Sequence, residues 1–498
     1  MPTPIRSPRD AQRRAAGALL RVMPLLDSLA GRFAAAGHEL ALVGGSVRDA
    51  LLGRLGADLD LTTDAHPEVV VGLLDGWADT HWEVGIDFGT VGARKAGYTL
   101  EITTYRTEEY HPSSRRPTVA FGTSLEGDLG RRDFTVNAMA VTLPDQRFVD
   151  PHGGLADLTA RRLVTPAPPE QSFDEDPLRM MRAARFAAAL GFDVAAPVVE
   201  AMTAMAGRIA IVSVERIRDE LTKLLLAPRP RRGLALMVDT GLADDVLPEL
   251  PALRLEIDEH HRHKDVYEHT LTVLDKAIAA ERSGPDLVLR LAALLHDIGK
   301  PRTRRFEPGG GVSFHHHEVV GAAMARKRLT ALHFPAEVVD AVARLVELHL
   351  RFHGYGTGEW TDSAVRRYVR DAGPLLDRLH ALTRSDCTTR NQRKAEALAR
   401  AYDALEERID RLAEQEELDS MRPDLDGREI MQVLGIGPGP LVGRARAHLL
   451  ELRIEHGPLG HDRAVAELAR WWADQPEAAG RGGAEGADGT LSAPRDRR

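Results

Sequence analysis

The sequence predicts an α+β chain: a small head with a mixed β-sheet, followed by a long all-α body. Three observations predict it. Up to about residue 149, short apolar runs alternate with helically spaced ones. From Pro177 onward the spacing is almost wholly helical. Between the two styles lies a Pro-rich stretch at 165–169, a natural boundary. No internal repeat is visible.

Taken in order, residues 12–37 carry helical spacing, and the apolar run 40–43 is a short strand. A helix then begins, 47–52, just past the pair Gly44-Gly45, and 59–61 forms a second strand. Residues 66–74 are helical, with Pro67 suited to the first turn. Residues 89–93 and 98–105 alternate like a hairpin. The stretch 107–118, rich in Ser, Arg and Pro, reads as a mobile loop. Order returns at 134–141, and 147–149 is a short strand. In the body, Pro228, Pro230 and Pro251 punctuate the helices, which run to about Trp472. The Gly/Ala-rich end, 478–498, has the composition of a disordered tail. The expected division is a head at 1–165, a helical neck at 166–230, a connecting segment at 231–256, a helical domain at 257–395, a helical tail at 396–475, and a disordered end at 476–498.

Composition sets the outer limits. A chain of 498 residues exceeds a single core, and 43% apolar with 28% charged residues is ordinary for a globular protein. No run is long and apolar enough to span a membrane, and the Arg-rich N-terminus lacks the apolar core of a signal peptide. The lone Cys387 excludes an intramolecular disulfide and fits a reducing cytoplasm. The net charge of −9 does not advertise nucleic-acid binding, although a basic groove can coexist with acidic surfaces. Only 7 of the 65 basic residues are Lys. That bias suits phosphate recognition, but base composition of the genome explains it as well.

The most informative stretch is 42–60. A glycine pair at a strand-to-helix turn lets a phosphate approach the backbone, and helix N-terminal amides attract it. Arg48, one turn in, can clamp a triphosphate. Asp58 and Asp60, two apart on a strand, share a face. Two carboxylates beside a phosphate-binding loop suit Mg²⁺-assisted phosphoryl or nucleotidyl transfer. Such sites often draw a third carboxylate from a neighbouring strand, and Glu101 is the candidate. Read alone, each feature has a bland alternative: a surface pair for Arg48–Asp49, a solvated turn for Asp-x-Asp, an edge-strand charge for Glu101.

The pattern Gly-Gly-x-Val-Arg-Asp…Asp-x-Asp resembles the first motif of the class II tRNA nucleotidyltransferases, the CCA-adding enzymes, and of their bacterial poly(A) polymerase relatives. Segment 128–140, Asp-Leu-Gly-Arg-Arg-Asp-Phe-Thr-Val-Asn-Ala-Met-Ala, is similar to the family's nucleotide-binding motif. The resemblance implies that Arg131, Arg132, Asp133 and Asn137 bind sugar and phosphates. Residues 150–157 are similar to the hinge between head and neck. A third match begins Glu175-Asp176-Pro177-Leu178-Arg179. On spacing alone it is a capped, Arg-rich helix, with Asp176 and Arg179 neighbours on one face. The family gives the pair a sharper role. The carboxylate accepts from the exocyclic amine of cytosine or adenine, and the arginine donates to the adjacent ring nitrogen. Uracil and guanine present a carbonyl there and are rejected. Glu175 would orient the pair, and Arg182 and Arg185 would add nucleotide contacts. The implied head is a nucleotidyltransferase-type fold using CTP, ATP and Mg²⁺ on tRNA.

Segment 83–91 looks like the CCA-enzyme version, whereas poly(A)-making relatives usually carry Gly-Arg-Arg-Phe there. CC-only and A-only enzymes share most of the motifs and stay open. In the body, His269, His296-Asp297, His317, His349 and Asp386 resemble the HD phosphohydrolase signature, whose ligand types suit a divalent transition metal. Some family members use such a domain as a 2′,3′-cyclic phosphodiesterase and phosphatase. His260, His261, His263, His315 and His316 read as solvent-facing bystanders. Two other readings stay open: an HD phosphohydrolase with the head as nucleotide sensor, and a non-catalytic RNA-binding protein. Arg216, Arg218, Arg229, Arg231 and Arg232 are expected to line an RNA groove in the neck.

Overall fold

The structure, a computed structural model, describes residues 5, 7–86, 89–109, 118–122, 124–254, 265–308, 311–352, 360–387, 391–416 and 424–475. Most of the loop expected at 107–118, Asp87 and Phe88 of segment 83–91, His260, His261, His263 and the end 476–498 lie outside the described residues. The chain forms two units, Met1–Val346 and Glu347–Arg498.

The first unit opens with two helices, α1 (Pro8–Leu19) and α2 (Met23–Ala35). The sequence suggested one continuous helix. Pro24 has no N–H to continue it, and is accommodated instead in the first turn of α2. The head then runs β1 (Leu40–Val43), α3 (Gly44–Leu51), β2 (Asp58–Thr63), α4 (Pro67–Leu74), β3 (Thr80–Trp82), β4 (Thr90–Lys95), β5 (Tyr98–Thr104), β6 (Arg106–Glu109) and β7 (Thr118–Phe121). It closes with α5 (Leu125–Gly130), a 3₁₀ turn at Thr135–Asn137, β8 (Ala140–Leu143), β9 (Phe148–Val149) and α6 (Gly154–Ala160).

Among the described residues the main sheet has seven strands, ordered β3-β4-β5-β2-β1-β8-β9. Strands β2 and β5 are parallel and the other neighbours antiparallel, so the sheet is mixed, as expected. All four residues of β1 are buried. With Phe33, Leu59, Leu61, Leu100 and Ile102 they anchor the head core, each large side chain contributing roughly 1.5–3 kcal/mol. The expected loop at 107–118 begins and ends in an extra hairpin, β6 with β7, that polar composition concealed.

The helical part of this unit comprises β10 (Arg162–Leu163), α7 (Pro169–Glu175), α8 (Leu178–Leu190), β11 (Asp193–Val194), α9 (Ala196–Met205), α10 (Val214–Leu225), α11 (Pro230–Asp239), α12 (Leu242–Val246), α13 (Val266–Ala280), α14 (Leu287–Leu295), α15 (Lys300–Thr303), β12 (Arg305–Phe306), β13 (Val312–Ser313), α16 (His317–Ala331) and α17 (Ala336–Leu348). Two small ladders, parallel β10–β11 and antiparallel β12–β13, interrupt the expected run of helices. Each strand has two residues, too few to carry a period.

The second unit contains α18 (Asp362–Ala372), α19 (Leu376–Asp386), α20 (Gln392–Glu416), α21 (Gly427–Leu434), α22 (Pro440–His456) and α23 (His461–Ala473). Its C-terminal core joins Ile430, Leu434, Leu449 and Leu468. Helix α21 starts on a capping box, Asp426 with Glu429. Among the described residues no helix is long and apolar enough to cross a membrane.

Candidate active site and metal centre

Strands β2 and β5 set the geometry of the head. Their parallel register pairs Asp60 directly with Glu101, and Asp58 precedes Asp60 by one strand repeat. Paired strand residues point to the same face, so the three carboxylates converge. Glu101 therefore sits on an interior strand, not at an edge. The half-buried Asp60 carboxyl is raised above its ordinary value by burial, against the pull of Arg132 and Arg48. Glu101 is raised by desolvation and then by the charges of Asp60 and Asp58.

Helix α3 starts at Gly44, three residues earlier than expected, and presses its first turn on this face. A Cβ on Gly45 would lie 3.2 Å from Asp60 Oδ2, and one on Gly44 only 2.7 Å from the Arg132 guanidinium. Gly44 also has φ +65°, a conformation that favours glycine. Ser46 fastens the helix to β2: its Oγ accepts from Asp60 N at 2.8 Å and donates to Asp58 O at 3.4 Å. Sequence reasoning passed over Ser46, although it stands between the glycines and Arg48.

Around the carboxylates runs a chain of charged side chains. Arg48 is buried, grips Asp49 with two bonds, and donates to Asn137 Oδ1 at 2.6 Å. Asn137 Nδ2 donates to Asp133 Oδ1 at 2.8 Å, and Arg182 Nε donates to Asp133 Oδ2 at 2.7 Å. Burial would raise the Asp133 carboxyl, but Arg182, Asn137 and the Phe134 amide bring it down to about 2. Arg131 and Arg132 share the buried Asp128, at 2.6 and 2.9 Å. Arg185 pairs with Glu220 of α10 at 2.6 Å, and Arg182 approaches the same carboxylate at 3.7 Å. The guanidiniums of Arg48, Arg182 and Arg185 lie 5.3, 5.5 and 4.0 Å from the Phe186 ring. Asp128 and Glu220 were not singled out from the sequence; a buried acid among arginines has no local signature.

The structure corrects the expected placement of Asp176 on a helix face beside Arg179. Asp176 has extended backbone (φ −143°, ψ 99°) between α7 and α8. The reason is Pro177, whose ring disfavours helical geometry in the residue before it. Asp176 instead accepts from Leu178 N at 3.1 Å and pairs with Arg216 at 2.9 Å. Arg179 is buried and donates to Glu175 Oε2 (3.1 Å), Ser172 Oγ (2.9 Å) and the Arg131 carbonyl (2.6 Å). The other neck arginines are engaged too. Arg218 holds Asp219 and the His333 carbonyl, Arg231 holds Glu268 and Asp275, and Arg232 holds Asp193. Arg229 packs beside Gly191.

A second cluster surrounds the buried Asp297. His296 Nε2 and His317 Nε2 each lie 3.3 Å from its carboxylate, His269 Nε2 3.5 Å, and Lys300 Nζ 2.6 Å. Against burial, His296, His317 and Lys300 hold the Asp297 carboxyl well below the usual range. The ring Nδ1 atoms of His296 and His317 meet the carbonyls of Ala293 and Phe314 at 2.9 and 2.8 Å. A carbonyl can only accept, so each Nδ1 carries a proton and each Nε2 faces Asp297, where it would offer its lone pair to a bound metal. That donor set fits a divalent transition metal. A tight contact builds it: a Cβ on Gly299 would lie 2.1 Å from His317 O. His316 caps α16 at φ +60°, turning the chain so that His317 begins the helix. His315 and His316 are exposed. His349, buried, and Asp386 belong to the second unit.

Comparison with known proteins follows this anatomy. Residues 40–164 match the poly(A) polymerase head domain, 191–253 the probable RNA- and SrmB-binding site of polymerase A, and 266–391 the HD domain. The chain is 35% identical over 450 residues to an A-adding tRNA nucleotidyltransferase of Deinococcus radiodurans, covering 87% of this chain and 96% of that one. It is 34% identical over 444 residues to a CC-adding tRNA nucleotidyltransferase of Thermus thermophilus, covering 88% and 94%. Among solved structures, the CCA-adding enzyme of Bacillus stearothermophilus in complex with CTP aligns with a TM-score of 0.64 at 27% identity, covering 91% of this chain and 97% of that one.

Proposed function

The chain belongs to the tRNA nucleotidyltransferase/poly(A) polymerase family and is an enzyme of that kind; on that premise we propose that it adds C, C and A to the 3′ end of tRNA, in the cytoplasm, from CTP and ATP and without a template. The observation that carries the reading is the convergence of Asp58, Asp60 and Glu101 beside the Gly44-Gly45 turn. Their oxygen donors suit Mg²⁺, and a bound cation would offset the burial that raises Asp60 and Glu101 and the like charges that add to it at Glu101.

In the proposed reaction the RNA 3′-hydroxyl attacks the α-phosphorus of the nucleotide. A new P–O bond forms as the hydroxyl's O–H bond and the bond to the β-phosphate oxygen break; the proton passes to solvent and pyrophosphate leaves. Two Mg²⁺ ions, when bound, supply charge neutralisation at the attacking and leaving oxygens. Asp58, Asp60 and Glu101 hold that charge in place. Gly44, Gly45 and Arg48 receive the phosphates, and Arg131, Arg132, Asp133 and Asn137 the sugar and phosphates. Asp176 and Arg179 choose the base, with Arg182 and Arg185 as further nucleotide contacts. The Glu175–Arg179 bond of 3.1 Å supports a positioning role for Glu175. In the body, His269, His296, Asp297 and His317 hold a divalent metal for phosphate-ester hydrolysis.

A second reading has its own support. The two relatives above, matched over nearly their whole length, are an A-adding and a CC-adding enzyme, so a partial enzyme is the alternative product specificity. One experiment separates the two. The protein is incubated with Mg²⁺ and tRNA ending before its CCA, after one C, or after CC, with CTP, ATP or both. Full CCA on the shortest substrate supports the main reading. Arrest at CC, or addition of A only to the CC end, replaces it with the partial one. A long A tail would instead identify poly(A) synthesis.

A further inference from the structure

The head and the Asp297 cluster leave one basic surface of the first unit unused. The run Lys300-Pro-Arg-Thr-Arg-Arg-Phe306 leads directly away from the cluster, through α15 into β12. Its first cation already touches the cluster, through the 2.6 Å bond from Lys300 to Asp297. Arg302 and Arg305 are exposed and Arg304 is half-buried. The exposed Arg232 and Arg254 of the same unit are neutralised by acids, whereas Arg9, Arg21, Arg94, Arg147 and Arg282 are exposed without an ion pair among the described residues but stand apart from the cluster in sequence. Among the described residues, Arg302, Arg304 and Arg305 form no ion pair. The nearby acid Glu307 is engaged by Ser313 across the short β12–β13 ladder.

An aromatic completes the surface. Phe306 is 70% exposed, an uncommon setting for so large an apolar ring. The Arg304 guanidinium lies 4.7 Å from its centroid, and Lys300 Nζ lies 5.7 Å from that of Phe314. Available guanidiniums beside an open aromatic face are the parts that hold a single-stranded nucleic acid: cations take the backbone phosphates, and the ring takes an unstacked base. A free mononucleotide has one base and one phosphate group, and would leave most of this surface idle once its phosphate reached the cluster.

We propose that this lip, Arg302, Arg304, Arg305 and Phe306, binds the single-stranded end of an RNA and presents its terminal phosphate to the Asp297 cluster. The substrate of that centre is then a polynucleotide end and not a free nucleotide. The proposal rests on reading the cluster as a phosphohydrolase.

The test uses the full-length protein and a ten-nucleotide RNA with a 2′,3′-cyclic phosphate end and 4-thiouridine at its penultimate position. After irradiation, crosslinked peptides are mapped. The expected result is crosslinking within 302–314 that the double variant Arg302→Glu/Arg305→Glu reduces at least about fivefold. In parallel, phosphate-ester hydrolysis is measured on this RNA and on a 2′,3′-cyclic mononucleotide. The double variant and Phe306→Ala raise KM for the RNA about tenfold or more and change that for the mononucleotide less than about twofold. Nucleotide addition to tRNA stays at its normal rate in both variants. No crosslink in this segment, or an equal loss on both hydrolytic substrates, overturns the proposal. Crosslinking here without hydrolysis of either substrate by the unaltered protein overturns the phosphohydrolase reading and leaves the strand-binding lip supported.

Discussion

Replacing Asp133 with Asn removes one charge from the middle of the chain that joins Arg48 to Arg182, and the structure sets the size of the effect. The Asp133 carboxyl is held at about 2 against an ordinary 3.8. At about 1.4 kcal/mol per pH unit, its ionised form adds about 2 kcal/mol to folding at neutral pH. The folded value lies below the unfolded one. The contribution is therefore whole above the unfolded value, falls to about half near pH 3, and vanishes below about pH 2. Asp133→Asn keeps the side chain's shape but leaves the Arg182 guanidinium facing an amide, for a total cost of about 2–4 kcal/mol at pH 7. The assay is urea unfolding followed by fluorescence of the head residues Trp77 and Trp82, with Trp360, Trp471 and Trp472 replaced by Phe. The stability gap between the protein with Asp133 intact and its Asp133→Asn variant stays constant from pH 7 to 5 and narrows only below pH 4. A gap under about 0.5 kcal/mol at pH 7, or one that closes between pH 7 and 5, refutes the reasoning.

Other outcomes follow from the same geometry. Because Asp60 and Glu101 titrate above their ordinary values, their charges cost the metal-free protein stability as pH rises through those raised values. The thermal shift produced by Mg²⁺ therefore grows with pH across the same window; a shift that is independent of pH, or that survives in Asp60→Asn/Glu101→Gln, contradicts the assignment. Gly299→Ala drives a methyl group into the His317 carbonyl, 2.1 Å from the ideal Cβ, and destabilises the first unit by about 1–3 kcal/mol. Elemental analysis finds less bound transition metal in that variant, while tRNA extension continues. Asp58→Ala abolishes nucleotide addition and spares phosphate-ester hydrolysis, and His296→Ala does the reverse. Loss of both activities in either variant, with the fold intact by circular dichroism, argues against two separate centres.

The alternation of strands and helices in the head, and the helical body after it, were legible because each element buries a face with its own period. The convergence of Asp58, Asp60 and Glu101 was half legible. Two residues on one strand share a face by geometry, but only the parallel pairing of β2 with β5 brings Glu101 opposite Asp60. What stayed hidden were partnerships between distant segments. Arg216 claims Asp176 from 40 residues away, and Glu220 claims Arg185 from 35. Nothing in the local sequence of either arginine indicates which acid it meets. The position of Asp176 outside the helix was readable in principle from Pro177, through the restraint a proline places on its predecessor. Helical spacing carried no trace of it.

The nucleotide motif and the helix that follows the proline are stapled twice. Arg179 donates to the Arg131 carbonyl at 2.6 Å, and Arg182 holds Asp133 at 2.5 Å. Two fastenings, two residues apart on one side and three on the other, fix an orientation as well as a separation. The motif and the start of α8 are thus tied at two points, which opposes sliding of one past the other. On the proposed reading, an adjustment between a pyrimidine and a larger purine falls to side chains above the motif and helix, or to the two moving together against the carboxylates of the sheet.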